Sequence, residues 1–121
     1  MADTIFLSDE YGWTASFGLF EWVLEFLLER VTDEETEREL RSVLDHHLGA
    51  VDVCRLPAGG RQEIFRALRE DLVEAAEAST ELRQPEPARR RTIGHIKVLK
   101  LMADDLATAQ PPDRTPGTDL T

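Results

Sequence analysis

One apolar stretch, residues 17–28, constrains the fold of this chain more than any other part of the sequence. Its only charged residues are Glu21 and Glu25, and Glu29 follows at the same spacing of four. Residues four apart lie on the same side of an α-helix, so these carboxylates form one narrow stripe. The remaining circumference is almost entirely apolar and aromatic, and other parts of the protein must cover it. We therefore predict a central core helix over residues 17–31.

Three further segments have the apolar spacing of amphipathic helices. The first begins with Thr32 and Glu35, which have the spacing of a capping box, and it ends before Gly49. With the central helix, these segments predict a mainly α-helical fold, a compact bundle of about four helices around that helix. The three segments are residues 33–48, 61–80 and 93–109.

The last of these helices has a wide apolar face. We expect its inner positions to be buried and three further apolar positions to broaden the buried face, so that the helix packs on two neighbours. The inner positions are Ile93, Ile96, Leu99, Ala103 and Leu106, and the additional ones are Val98, Leu101 and Met102.

The chain before the central stretch predicts a short β-hairpin. Residues 4–8 and 13–16 are compatible with strands, and the four residues from Asp9 to Gly12 are typical of a turn. A two-stranded hairpin is only marginally stable alone, so we expect it to pack on the helices. Residues 50–56 are also apolar, and they fit either a short strand or a helical turn.

Length and composition predict one domain, which we place at residues 1–109 of the 121. Residues 110–121 contain three prolines and few apolar residues, and we predict a disordered tail there. Cys54 is the only cysteine, which is typical of a reducing compartment. The apolar stretch is shorter than the roughly 20 residues that cross a bilayer, so we expect a cytoplasmic protein with no membrane segment.

The formal net charge of −10 is concentrated in the first part of the chain. Residues 1–48 contain 12 acidic and 3 basic residues. A charge of this sign disfavours nucleic-acid binding, which depends on neutralising phosphates, and it favours a basic protein partner.

The acidic residues that open the second predicted helix are the candidate contacts for such a partner. Tyr11 and Trp13 add two aromatic residues near the tip of the predicted hairpin, and protein interfaces favour anchors of this kind. We expect the basic cluster 89–91 to contact the acidic start of the same helix within the chain. The candidate acidic residues are Asp33, Glu34, Glu35, Glu37 and Glu39.

No set of residues has the spacing of a catalytic or metal site. Asp45, His46 and His47 are consecutive, and neighbouring histidines on a helix point about 100° apart, whereas helical metal ligands lie four residues apart. His47, Cys54 and His95 have no zinc-site spacing. The glutamate stripe lacks the Glu-x-x-His motifs that partner helices of a di-iron site would carry. We expect His47 at the edge of the core and Cys54 in it, with no metal, no cofactor and no enzymatic activity.

The sequence therefore predicts a small acidic protein-binding module that neutralises a basic partner. Immunity proteins and antitoxins act in this way, and the analogy rests on charge and size. One alternative is a homo-oligomeric accessory subunit, such as a homodimer, held by apolar surface left on the first and last helices. Another is a small-ligand or metal-binding protein with a pocket near Trp22, His47 and His95.

Overall fold

A computed structural model describes residues 2–80 and 82–109 of the protein. Within these residues 64% of the chain is helical, in five α-helices, and a short three-stranded sheet forms near the N-terminus. The prediction of a mainly helical protein is confirmed, whereas the predicted tail lies outside the described residues. The strands are Ala2–Phe6 (β1), Gly12–Ser16 (β2) and Ala50–Asp52 (β3), and the helices are Phe17–Leu28 (α1), Glu34–Asp45 (α2), Ala58–Glu70 (α3), Leu72–Ala78 (α4) and Ala88–Ala109 (α5).

The predicted hairpin is part of a larger sheet. β1 lies between the other two strands, antiparallel to β2 and parallel to β3. Side chains alternate across the sheet, so Ile5, Trp13 and Val51 are buried while Phe6 and Thr14 lie on the exposed face. Residues 50–56, for which the sequence allowed either a strand or a helical turn, contain both. β3 is followed at once by a 3-10 helix, Val53–Arg55.

α1 is shorter than predicted and is not shown to be the centre of a bundle. It begins after Ser16, whose Oγ accepts a hydrogen bond from the backbone N–H of Leu19 at 3.4 Å. It ends at Leu28, and the N–H of Arg30 then donates to the carbonyl of Leu27, a bond over three residues of the kind that tightens the end of a helix. α1 packs on both hairpin strands and on α2, whereas α5 packs on α3 and α4. The predicted bundle around a central helix is therefore not confirmed.

α2 begins and ends at residues other than those predicted. Its N-cap is Asp33 and not Thr32, and its last helical residue is Asp45. The N–H groups of His47 and Leu48 return to the carbonyls of Leu44 and Val43, the pattern of a Schellman motif. His47 takes the left-handed conformation of that motif, with φ 50°, so the helix stops before Gly49 is reached.

The predicted helix over residues 61–80 is two helices in the structure. The backbone departs from helical geometry at Asp71, where φ is −117°. Leu68 of α3 and Leu72 of α4, on either side of this break, are both completely buried.

α5 starts five residues earlier than predicted, and its inner face is confirmed as buried. The expectation that Val98 and Leu101 broaden the buried face is wrong, because their side chains are 40% and 63% exposed. α3, α4 and the edge of β2 contact the other sides of this helix. A second apolar stripe therefore remains on its outer side.

Candidate partner-binding surface

The outer face of α2 presents three of the five predicted acidic contacts. Glu34, Glu35 and Glu39 are exposed, and none of them has a hydrogen bond or ion pair with another described side chain. Glu35 and Glu39 are four apart and lie on the same side of the helix. These three carboxylates, the α2 acidic face, are open to a partner.

The other two predicted acidic residues already have partners within the chain. Asp33 caps α2, and its Oδ2 accepts hydrogen bonds from the N–H of Thr36 at 2.9 Å and from the Thr36 hydroxyl at 2.7 Å. These two donors lower the pKa of Asp33 below its usual value. Glu37 pairs with Arg41 one turn later, at 3.2 Å.

Glu63 is a structural carboxylate that the sequence did not point to. It reaches from α3 to the start of α2, where it accepts the N–H of Thr32 at 2.9 Å and the Thr32 hydroxyl. These hydrogen bonds lower the pKa of Glu63. The predicted capping pair of Thr32 and Glu35 is therefore wrong, because Thr32 bonds a residue 31 positions away and leaves Glu35 exposed.

A shallow groove of about 230 Å³ borders the α2 acidic face. Glu35 and Glu39 line one side, and Asp52 and Arg55 line the other. Arg55 approaches Asp52 at 3.9 Å, but both side chains are largely exposed, so the pair is weak. Cys54 lies two residues after Asp52 and is exposed, which corrects the expectation that its thiol is buried.

The aromatic residues of the hairpin do not form a free tip. Trp13 is 1% exposed, its indole N–H donates to the carbonyl of His95 at 2.9 Å, and its ring stacks on the His95 ring at 4.8 Å. Tyr11 is half-buried and donates its hydroxyl to Asp105 of α5. That hydrogen bond, together with the negative charge of Asp105, raises the pKa of Tyr11 above its usual value.

The structure does not bring Trp22, His47 and His95 into one pocket. The Trp22 indole donates to Ser79, the His47 ring contacts Phe17, and His95 lies against Trp13. His47 is exposed and not at the edge of the core. Among the described residues, no group of three histidine, cysteine, aspartate or glutamate side chains is placed to hold a metal ion.

A pocket of about 340 Å³ lies beside Trp22, between α1 and α4. The rings of Trp22 and Phe26 stack at 5.8 Å, and the guanidinium of Arg30 lies 4.0 Å from the centre of the Phe26 ring. Glu25 and Glu29 of the predicted stripe also line this pocket, and Glu29 contacts Arg30 at 3.4 Å. An aromatic wall bordered by carboxylates is suited to guanidinium groups, and Arg30 already occupies one face of it.

The basic cluster at the start of α5 does not reach α2. Arg89 donates to the carbonyl of Glu77 at 3.0 Å, and Arg90 lies 3.6 Å from Glu86. The expected contact with the acidic start of α2 is therefore wrong, because α4 and the preceding loop are closer. This leaves the α2 acidic face without the basic neighbour that the sequence suggested.

None of the helices in the described ranges is both long and apolar enough to cross a membrane. No family model, no curated protein and no solved structure matches this chain. Its function therefore has to be argued from its own residues.

Proposed function

We propose that this protein is a binding module for a basic protein partner in the cytoplasm, and that the α2 acidic face is the contact surface. The observation that carries this proposal is the exposure of Glu34, Glu35 and Glu39 without a pairing cation among the described residues. The net charge is −10, and most of the ion pairs in the described part of the chain use carboxylates outside α2, such as Asp71 and Asp104.

Charge complementarity gives such a surface its specificity and its speed of association. Asp52 extends the negative surface across the neighbouring groove, and Leu56 and Pro57 give that groove an apolar floor. Arg38 is exposed on the same helix and reduces the local charge without cancelling it. A partner that presents lysine or arginine beside a small apolar contact fits this surface.

The Trp22 pocket supports the same class of partner. The Arg30 guanidinium is held there by the Phe26 ring, by Glu29 and by Asp71 at 3.3 Å. An arginine of a partner would find the same types of group along this side of α1. The pocket is therefore a second candidate contact for the basic partner.

The experiment is affinity capture from the source cells with three forms of the protein. The test variant carries Glu35→Lys and Glu39→Lys, and the control carries Glu70→Lys and Glu77→Lys, which make the same charge change on exposed positions of α3 and α4. We expect the wild type and the control to retain one basic protein at low salt, and the test variant to lose most of it.

The captured protein should dissociate as the salt concentration rises, because exposed charges are screened. If both variants bind it equally, the α2 acidic face is not the contact surface. If no basic protein is retained by the wild type at any ionic strength, the proposed function is wrong.

A further inference from the structure

The outer side of α5 carries a seam of five residues whose spacing alternates between three and four. All five are exposed, and they lie along one line of the helix with the repeat of a coiled-coil contact. We propose that this α5 seam binds the same seam of a second copy of the chain, with the two helices antiparallel. The five residues are Arg91, Gly94, Val98, Leu101 and Asp105.

The centre of the seam is apolar and uncovered. Val98 is 40% exposed, and Leu101, at 63%, is the most exposed large apolar side chain among the described residues. A Cβ added at Gly94 would meet no atom within 4 Å, so the helix surface there is bare backbone. A large side chain from a partner helix can approach closely at such a position.

An antiparallel second copy fits this seam position by position. With Val98 of both copies at the twofold axis, Gly94 lies opposite Leu101 of the second copy, so the largest apolar side chain of the seam meets the residue without a side chain. Arg91 then lies opposite Asp105 of the second copy. Each of these two contacts occurs twice, because a twofold axis repeats it.

The charges at the ends of the seam favour the antiparallel arrangement. Arg91 has no ion pair with another described residue. Asp105 accepts the Tyr11 hydroxyl at Oδ2, and no described donor bonds Oδ1. A parallel pairing would place Arg91 against Arg91 and Asp105 against Asp105. In the antiparallel pairing Lys97 is the charged residue nearest to its own copy, and its exposed side chain can extend into water.

The seam spans 15 residues, which corresponds to roughly 21 Å of helix. One pair of helices of this length buries less area than the roughly 1,200–2,000 Å² of a stable protein complex. We therefore expect a reversible dimer with a Kd of micromolar order. This inference does not depend on the proposed function, because the α5 seam and the α2 acidic face share no residue.

The test is sedimentation velocity over a concentration series of the full chain. Wild type should form dimers as its concentration rises, while Arg91→Asp and Asp105→Arg alone should weaken dimerisation at least tenfold. An equimolar mixture of the two variants should form a heterodimer, because each Asp then faces an Arg. A mixture that stays monomeric, or a wild type that is monomeric at about 1 mM, would overturn the proposal.

Two controls separate the seam from general surface effects. Leu101→Asn should abolish dimerisation, whereas Leu48→Asn, at a position 57% exposed outside the seam, should leave it unchanged. Tyr11→Phe should also leave the dimer intact, which shows that Asp105→Arg does not act by releasing Tyr11. Urea unfolding confirms that each variant is folded, and equal effects of the two asparagine variants would contradict the proposal.

Discussion

At the scale of single residues, Gly60 of α3 lies directly against Thr36 of α2. A Cβ placed on Gly60 would lie 1.8 Å from Oγ1 of Thr36 and 2.7 Å from its Cβ. Thr36 is completely buried, and its hydroxyl donates to the N-cap Asp33. The packing of α3 on α2 therefore requires a residue without a side chain at position 60.

We expect Gly60→Ala to lower the free energy of unfolding by about 1–3 kcal/mol, because the added methyl group forces the helices apart. Gly59→Ala is the matched control, since its Cβ would meet no atom within 4 Å. Gly59→Ala should raise the free energy of unfolding by up to about 1 kcal/mol through helix propensity. Urea unfolding measures both changes, and effects of the same sign would show that the helices do not meet here.

The sequence does not distinguish these two glycines. Both only weaken the first turn of a predicted helix, because the residue that excludes a side chain at Gly60 lies 24 positions earlier in the chain. By contrast, the buried positions of α5 could be predicted, since helical spacing is local information. The role of Glu63 could not, because its hydrogen bond to Thr32 depends on how α3 meets α2.

At the scale of elements, α5 is fastened to the hairpin at two points. The Trp13 indole and the His95 ring hold the middle of β2, and His95 Nε2 donates to the carbonyl of Thr14 at 2.6 Å. The Tyr11 hydroxyl bonds Asp105 three turns further along the helix. These contacts join parts of the chain more than 80 residues apart.

We expect the absorbance titration of Tyr11 to have its midpoint above the usual value of 10.0, because the bonded hydroxyl resists losing its proton beside a carboxylate. Since Tyr11 is the only tyrosine, the signal belongs to this contact alone. The hydrogen bond between Tyr11 and Asp105 stabilises the fold fully at pH values below the pKa of Tyr11 in the unfolded chain. This stabilisation is lost as the pH rises through the higher pKa of Tyr11 in the folded protein.

Asp105→Asn should return the midpoint toward that of a free tyrosine. A variant such as Asp104→Asn, which changes the neighbouring carboxylate on the same helix, should leave most of the shift in place. Equal midpoints for the wild type and Asp105→Asn would show that α5 does not hold the hairpin at this point.

The sequence predicted the helices because each has its own apolar spacing, but not how they are divided and joined. The break at Asp71 has no glycine or proline to mark it, so the local sequence carries no signal for it. β3 is three residues long, and its pairing with β1 depends on a strand more than 40 residues away. Such features arise from tertiary contacts, which local patterns do not contain.

At the scale of the whole molecule, the net charge of −10 opposes the compact state. The first half of the chain carries most of that charge, and α2 has no basic residue in its last turn to offset the negative end of its dipole. Asp45 lies at that end and is exposed. The acidity that we propose for binding a partner is therefore a cost to folding.

We expect Asp45→Asn to raise the free energy of unfolding by about 0.3–1 kcal/mol at low ionic strength. The gain should shrink as salt rises from about 0.1 to 1 M, where the Debye length falls from about 10 to 3 Å. Urea unfolding at two salt concentrations tests this. A gain that does not change with salt would show that the effect is not electrostatic.

The central place of β1 in the sheet has a consequence for the order in which the molecule can be completed during synthesis. β1 and β2 leave the ribosome before the helices that follow them and can pair with each other at once, because only residues 7–11 separate them. β3, the other neighbour of β1, is made only when the chain reaches residues 50–52. α5, which covers Trp13 and the free edge of β2, does not reach them until residue 95 has been made. A nascent chain therefore carries an open sheet edge and an uncovered tryptophan until almost all of the described chain has been made.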